Sequence, residues 1–136
     1  MFNTHLYVRL YDTDAAGILY FGNQFRFAHE SFEQFLDSEG IYFKHLFDQE
    51  TFIFVIVHAQ SDYLAPLRVG DKLDVSLAVS HIGKTSFEIT YTFSKSDTNL
   101  LVGRSKTVHV CLNKASHTKE PLPDTILSIL KKHILT

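Results

Sequence analysis

Two periods of hydrophobic spacing follow one another along the chain, and their order predicts the architecture. Leu6, Val8 and Leu10 alternate with polar neighbours, so His5–Tyr11 reads as a strand. From Gly22 to Ser38 the apolar positions Phe25, Ala28, Phe32, Phe35 and Leu36 recur at helical spacings and form one face. Gly40 is placed to stop that helix, and Ile41–Phe47 has room for a further short helical turn. Phe52–Val57 is apolar on both faces, the pattern of a strand in the middle of a sheet with cover on each side. It continues, more polar, through Ala59–Leu64 and is stopped by Pro66. A turn over Pro66–Asp71 precedes two strictly alternating runs, Leu73, Val75, Leu77, Val79 and then Phe87, Ile89, Tyr91, Phe93. A polar turn at Lys95–Asn99 leads to a last strand, Leu100–Leu112. Pro123 and Asp124 open a C-terminal helix whose end carries Lys131 and Lys132, where cations favour the helix dipole.

Strands joined by short polar turns pair antiparallel, because parallel pairing needs long crossovers. One apolar helix is available to cover one sheet face. The expected class is therefore α+β: a single curled sheet wrapped on a central helix, with a short helix at the C-terminus. No linker, repeat or low-complexity segment interrupts residues 1–136, which read as one domain. An open sheet leaves its edges unpaired, and edge-to-edge or face-to-face dimerisation is the expected protection.

Composition narrows the function classes. With 45% hydrophobic and 21% charged residues the chain is ordinary soluble protein, and 12 Phe and 6 Tyr without Trp predict a core of phenyl rings. A net charge of −2 argues against a nucleic-acid-binding role, which usually carries a basic surplus. The single cysteine, Cys111, excludes an internal disulfide and suits a reducing, cytoplasmic setting. No run approaches the ~20 apolar residues of a membrane span, and the N-terminus lacks the continuous apolar core of a signal peptide. The 8 histidines show no metal-ligand spacing: His29-Glu30-Ser31-Phe32-Glu33 begins like a zinc helix but ends in Glu, so no metal is expected. No nucleophile elbow, phosphate loop or dinucleotide fingerprint is present, and no cofactor is expected.

What remains is Tyr11–Asn23, Y-D-T-D-A-A-G-I-L-Y-F-G-N. Two carboxylates follow a strand, and a helix begins just downstream with unpaired N–H groups in its first turn. A carboxylate beside a helix N-terminus supplies a base or nucleophile together with a donor for a developing oxyanion. The neighbouring phenyl rings would shape an apolar acyl pocket. The alternative for Asp12 and Asp14 is a role in turns and caps. Glu30 and Glu33 read first as ordinary helix-surface residues.

The segment Asp12–Phe21 resembles the signature of hotdog-fold acyl-CoA thioesterases of the 4-hydroxybenzoyl-CoA thioesterase type. His29–Glu33 resembles the helix that follows it in the 1,4-dihydroxy-2-naphthoyl-CoA thioesterase branch, which serves menaquinone and phylloquinone synthesis. The similarity continues through Asp62–Pro66, Val69–Asp71, Ile82–Phe87 and Thr107–Val110. It implies a five-stranded antiparallel sheet around the central helix, and dimers pairing into tetramers with active sites between subunits. It implies Asp14 as the catalytic carboxylate, the Phe21 backbone N–H as the donor to the thioester carbonyl, and Gly17 and Tyr20 as substrate contacts. Gly83, Lys84, Thr85 and Ser86 match the loop used near CoA, where a lysine attracts phosphates. CoA enters as part of the substrate. Phe21 stands where short-chain envelope-associated thioesterases carry His, which favours the dihydroxynaphthoyl branch. Another hotdog branch keeps its carboxylate on the central helix, which holds Glu30 and Glu33 in reserve. A thioesterase for other acyl groups, a hotdog dehydratase and a non-catalytic acyl-CoA-binding module are the alternatives.

Overall fold

The computed structural model describes residues 1–135. Strands β1 (Phe2–Tyr7), β2 (Phe52–Tyr63), β3 (Lys72–Ile82), β4 (Ser86–Lys95) and β5 (Leu101–Asn113) are joined by helices α1 (Asn23–Ser38) and α2 (Phe43–Gln49), and α3 (Asp124–Lys132) closes the chain. The strands form one antiparallel sheet in the order β1-β3-β4-β5-β2. This is the hotdog arrangement, with α1 laid across the concave face.

The alternating runs account for that packing. Leu73, Val75, Leu77 and Val79 of β3 and Phe87, Ile89, Tyr91 and Phe93 of β4 are all buried toward the helix. From α1, Phe27, Ala28, Ser31, Phe32, Phe35 and Leu36 fill the space. Phe27 meets Phe93 with ring centroids 6.5 Å apart, and Phe35 meets Phe2 at 5.8 Å. Ala28, Phe32, Phe35 and Leu36 form the expected stripe, with one correction: Phe27 enters the core, and Phe25 faces a cleft at the side of the helix. Gly40 ends the region in the left-handed conformation, φ +80°, as its position predicted.

Two further expectations are corrected. The first strand stops at Tyr7, because a 3₁₀ turn over Leu10–Asp12 redirects the chain and leaves Leu10 exposed. The apolar run Phe52–Val57 lies on an edge strand instead of a central one: β2 pairs with β5 alone among the described residues. Phe52 is buried and Phe54 packs edge-on against Phe87, whereas Ile56 and Val57 are 44% and 59% exposed. Hydrophobicity reports that a strand needs cover, and within one chain part of that cover is missing.

One buried group ties stability to pH. His109 on β5 packs against both Phe32 and Phe87, with centroids at 4.4 and 4.9 Å. Its Nε2 shares a hydrogen bond with the Thr107 hydroxyl (2.8 Å), which in turn meets the Tyr91 hydroxyl at 3.0 Å. Burial, with a smaller contribution from His29, lowers its pKa to about 4. An unfolded histidine titrates near 6.5, so between these values only the unfolded chain gains a proton. Stability is therefore expected to fall as pH drops from ~6.5 to ~4, by up to about 3 kcal/mol from this residue. Urea unfolding across that window tests it; an unchanged slope in His109→Gln would exclude His109 as the source.

Candidate active site

The motif folds into a small hairpin that ends at the start of α1. Thr13 and Leu19 form its antiparallel bridge, and Ile18 bridges to Arg68 in the loop before β3. At the tip, the Gly17 N–H donates to the Asp14 carbonyl (3.0 Å) and the Asp14 N–H to the Ile18 carbonyl (2.9 Å). Gly17 has φ +76°, a conformation that glycine adopts without steric cost. The returning arm carries Tyr20 and Phe21 to the base of the hairpin, where α1 begins.

The two carboxylates that spacing left equivalent have opposite environments. Asp12 is fully buried. Its oxygens accept a two-pronged contact from Arg26 of α1, Nε at 2.6 Å and Nη2 at 2.8 Å, and a bond from the Arg9 N–H at 2.8 Å. Arg26 also reaches Glu30 at 3.2 Å. Burial opposes the Arg26 charge, but the hydrogen bond and charge of Asp12, with Glu30, outweigh it and hold the guanidinium above its ordinary pKa. Asp12 therefore fastens the hairpin to the helix. Asp14 is exposed: one oxygen accepts the Ala16 N–H at 2.8 Å, and the other has no partner among the described residues. A carboxylate with a free oxygen, held by its own turn, is equipped to act on an incoming electrophile or on water.

The helix start supplies the complementary charge. Its N-cap is Gly22, which has no side chain to cap the first turn. The Asn23 N–H donates to the Tyr20 carbonyl (2.9 Å) and the Phe25 N–H to the Gly22 carbonyl (3.2 Å). The N–H groups of Phe21 and Gly22 have no acceptor among the described residues. Unpaired N–H groups at this end carry partial positive charge suited to an oxyanion. Gln24, buried, locks the first turn to the sheet by donating to the carbonyls of Asp62 (3.0 Å) and Arg104 (3.1 Å). Gly103 leaves room beside it: a Cβ there would lie 2.4 Å from the Gln24 Oε1 and would push the amide from its place.

Of the other expected site residues, Tyr20 is half exposed and rests against the Phe21 ring at 4.7 Å. Glu30 pairs with Arg26, and Glu33 lines a cleft between α1, α2 and β2. Gly83–Ser86 forms the β3–β4 turn, closed by a bond from the Gly83 N–H to the Ser86 carbonyl (2.7 Å), with Lys84 exposed. That turn and the hairpin lie at opposite ends of β3, roughly 33 Å apart at the usual rise per residue. One chain does not bring them together. Sequence reasoning gave Arg26, Gln24 and Tyr63 no role; apart from Glu30, four positions from Arg26, their partners lie 14 or more positions away.

Three clefts flank these elements. Phe21, Ile18, Gln24 and Tyr63–Leu67 line one of about 380 Å³. Phe25, His29, Ile56, Tyr91 and Thr107 line a second of about 330 Å³. Phe32, Phe43, Phe47 and Phe54 form much of a third, about 450 Å³, and His29 joins it to the second. Among the described residues no helix is long and apolar enough to cross a membrane.

Comparison with known proteins agrees with this fold. A relative from Nostoc punctiforme, named 1,4-dihydroxy-2-naphthoyl-CoA hydrolase, is 42% identical over 91% of this chain and 82% of its own length. The crystal structure of a 1,4-dihydroxy-2-naphthoyl-CoA thioesterase from Synechocystis superposes with a TM-score of 0.91 at 32% identity, covering 96% of this chain and 95% of that one. A gentisyl-coenzyme A thioesterase superposes with a TM-score of 0.84 at 25% identity over 94% of this chain and 98% of its own. The profile of the thioesterase-like superfamily matches residues 8–130, and the chain belongs to that family.

Proposed function

We propose that the protein hydrolyses 1,4-dihydroxy-2-naphthoyl-CoA, or a closely similar aromatic acyl-CoA, in menaquinone or phylloquinone formation. Water and the thioester give the free acid and the CoA thiol, with no cofactor. The observation that carries the reading is the exposed Asp14 carboxylate on a hairpin that leads into an uncapped helix start, in a chain with relatives that bear this activity in their names. Asp14 acts as nucleophile or as general base, and the Phe21 N–H receives the developing oxyanion. A thiolate leaves readily, so the site needs no strong general acid. Phenyl-walled clefts along α1 suit a flat aromatic acyl group better than a short aliphatic one. Gly17 and Tyr20 contact the substrate from the hairpin.

The working unit is a homodimer that assembles to a homotetramer. Two observations support this: the apolar edge strand β2 lacks cover, and Lys84 is too far from Asp14 to serve the same substrate within one chain. Gly83, Lys84, Thr85 and Ser86 then approach the CoA phosphates of a site built by another subunit. A CoA-linked substrate and a single cysteine fit the reducing cytoplasm.

A thioester panel read by thiol release tests the proposal. Naphthoyl and hydroxybenzoyl thioesters are expected to turn over fastest, with the activity eluting from gel filtration at dimer mass or above. Preference for short aliphatic thioesters would displace the aromatic assignment. Binding without thiol release would leave an acyl-CoA-binding module, and an active monomer would refute the shared site.

A further inference from the structure

Phe21 has little packing to fix its backbone. The residue is 62% exposed, and its ring touches that of the half-exposed Tyr20. Its orientation must come from hydrogen bonds to the two peptide planes that flank it, since a peptide unit turns as a rigid plane. The preceding plane holds the Tyr20 carbonyl and the Phe21 N–H, and the Asn23 N–H anchors that carbonyl at 2.9 Å. The Asp12 carbonyl supports the same side, accepting from the Tyr20 N–H (3.0 Å) and the Asn23 side-chain amide (2.8 Å).

The following plane holds the Phe21 carbonyl and the Gly22 N–H. Within the helix start, that carbonyl receives only the Gln24 N–H at 3.5 Å, the far limit of a hydrogen bond. Its close partner comes from elsewhere: the hydroxyl of Tyr63, the last residue of β2, donates to it across 42 positions of sequence. Tyr63 and Phe21 line the same cleft.

We propose that Tyr63 is a positioning residue for thioester hydrolysis, its hydroxyl clamping the Phe21–Gly22 peptide so that the unpaired Gly22 N–H keeps a fixed aim at the substrate carbonyl beside that of Phe21. With the preceding plane held by Asn23 and the following one by Tyr63, both backbone torsions of Phe21 are set before substrate arrives. A preorganised donor loses little on reaction, whereas a loose one must be ordered at each turnover. This rests on the proposed role of the Phe21 N–H, and the test separates the two.

Tyr63→Phe keeps the ring and deletes only the donor. It is expected to lower kcat about tenfold with KM within about twofold, as for an interaction that matters only in the transition state. The decisive readout is the carbonyl stretch of a carbonyl-¹³C-labelled 4-hydroxybenzoyl-CoA bound to the slow Asp14→Asn protein. In Asp14→Asn the stretch should move to lower frequency than in the free thioester, reporting a polarised carbonyl. In Asp14→Asn/Tyr63→Phe the part of that shift due to the Gly22 N–H should vanish while the thioester still binds, the Phe21 N–H staying anchored through the Tyr20 carbonyl. A full shift in the double variant, or an unchanged kcat in Tyr63→Phe, overturns the role of Tyr63 and leaves the N–H role standing. No shift in Asp14→Asn itself removes the N–H role, and the clamp with it.

Discussion

Asp14→Asn is expected to lower kcat by about 10²- to 10⁴-fold while the thermal unfolding midpoint stays that of the parent. The fold should be indifferent because Asp14 is exposed and its one bond, from the Ala16 N–H, is equally available to an asparagine oxygen. Chemistry should not be, since an amide neither attacks a thioester nor takes a proton from water. Turnover within tenfold of the parent would reject Asp14 and turn attention to Glu30 and Glu33. A single turnover in ¹⁸O-labelled water divides the remaining routes. Label in the Asp14 peptide marks a mixed anhydride opened by water at the Asp14 carbonyl; label in the acid alone marks water attack on the acyl carbon, and trapping with hydroxylamine then tests for an anhydride at Asp14.

Arg26→Ala should do the reverse and act first on stability. Asp12 has no exposed surface, while the Arg26 side chain keeps about a third of its own. Removing arginine strands a buried carboxylate, a change that typically costs about 3–5 kcal/mol. Removing Asp12 leaves a cation that can still reach water and Glu30, so Asp12→Ala should cost less. The double variant should recover part of the Arg26→Ala loss, because neither charge is then left alone. Urea unfolding of all three variants measures this. A loss below about 1 kcal/mol for Arg26→Ala would mean that the pair does not hold the hairpin. The two acidic residues of one short motif thus separate experimentally, one by rate and the other by stability.

That separation also marks where sequence reading reached its limit. The alternation at Leu73–Val79 and Phe87–Phe93 was legible because burial in a strand follows the local period of two. The helix and Gly40 were legible for the same local reason. The roles of Asp12 and Asp14 depend on a 3₁₀ turn and on an arginine 14 residues away, so spacing left them equal. The apolar pattern at Phe52–Val57 was read for its neighbours when it records only cover, and the strand proved to be an edge. Phe25 and Phe27 both fit a helical face, and only the sheet decides which enters the core. Tyr63 lies in the resembling stretch Asp62–Pro66, but its role was not legible, since its contact exists only after β2 is laid beside the start of α1.

Every turnover of a CoA thioesterase liberates a free thiol at the protein surface, which makes the protein's own sulfur chemistry relevant. Cys111 sits inside the core on β5, with no exposed surface. Burial, helped by the charge of Glu120, raises its pKa to about 11, so near neutral pH it is almost wholly the unreactive thiol. Were released CoA oxidised to its disulfide, exchange with the protein would need a protein thiolate, and Cys111 does not present one. A colourimetric thiol reagent added to the folded protein reports released CoA without a protein background.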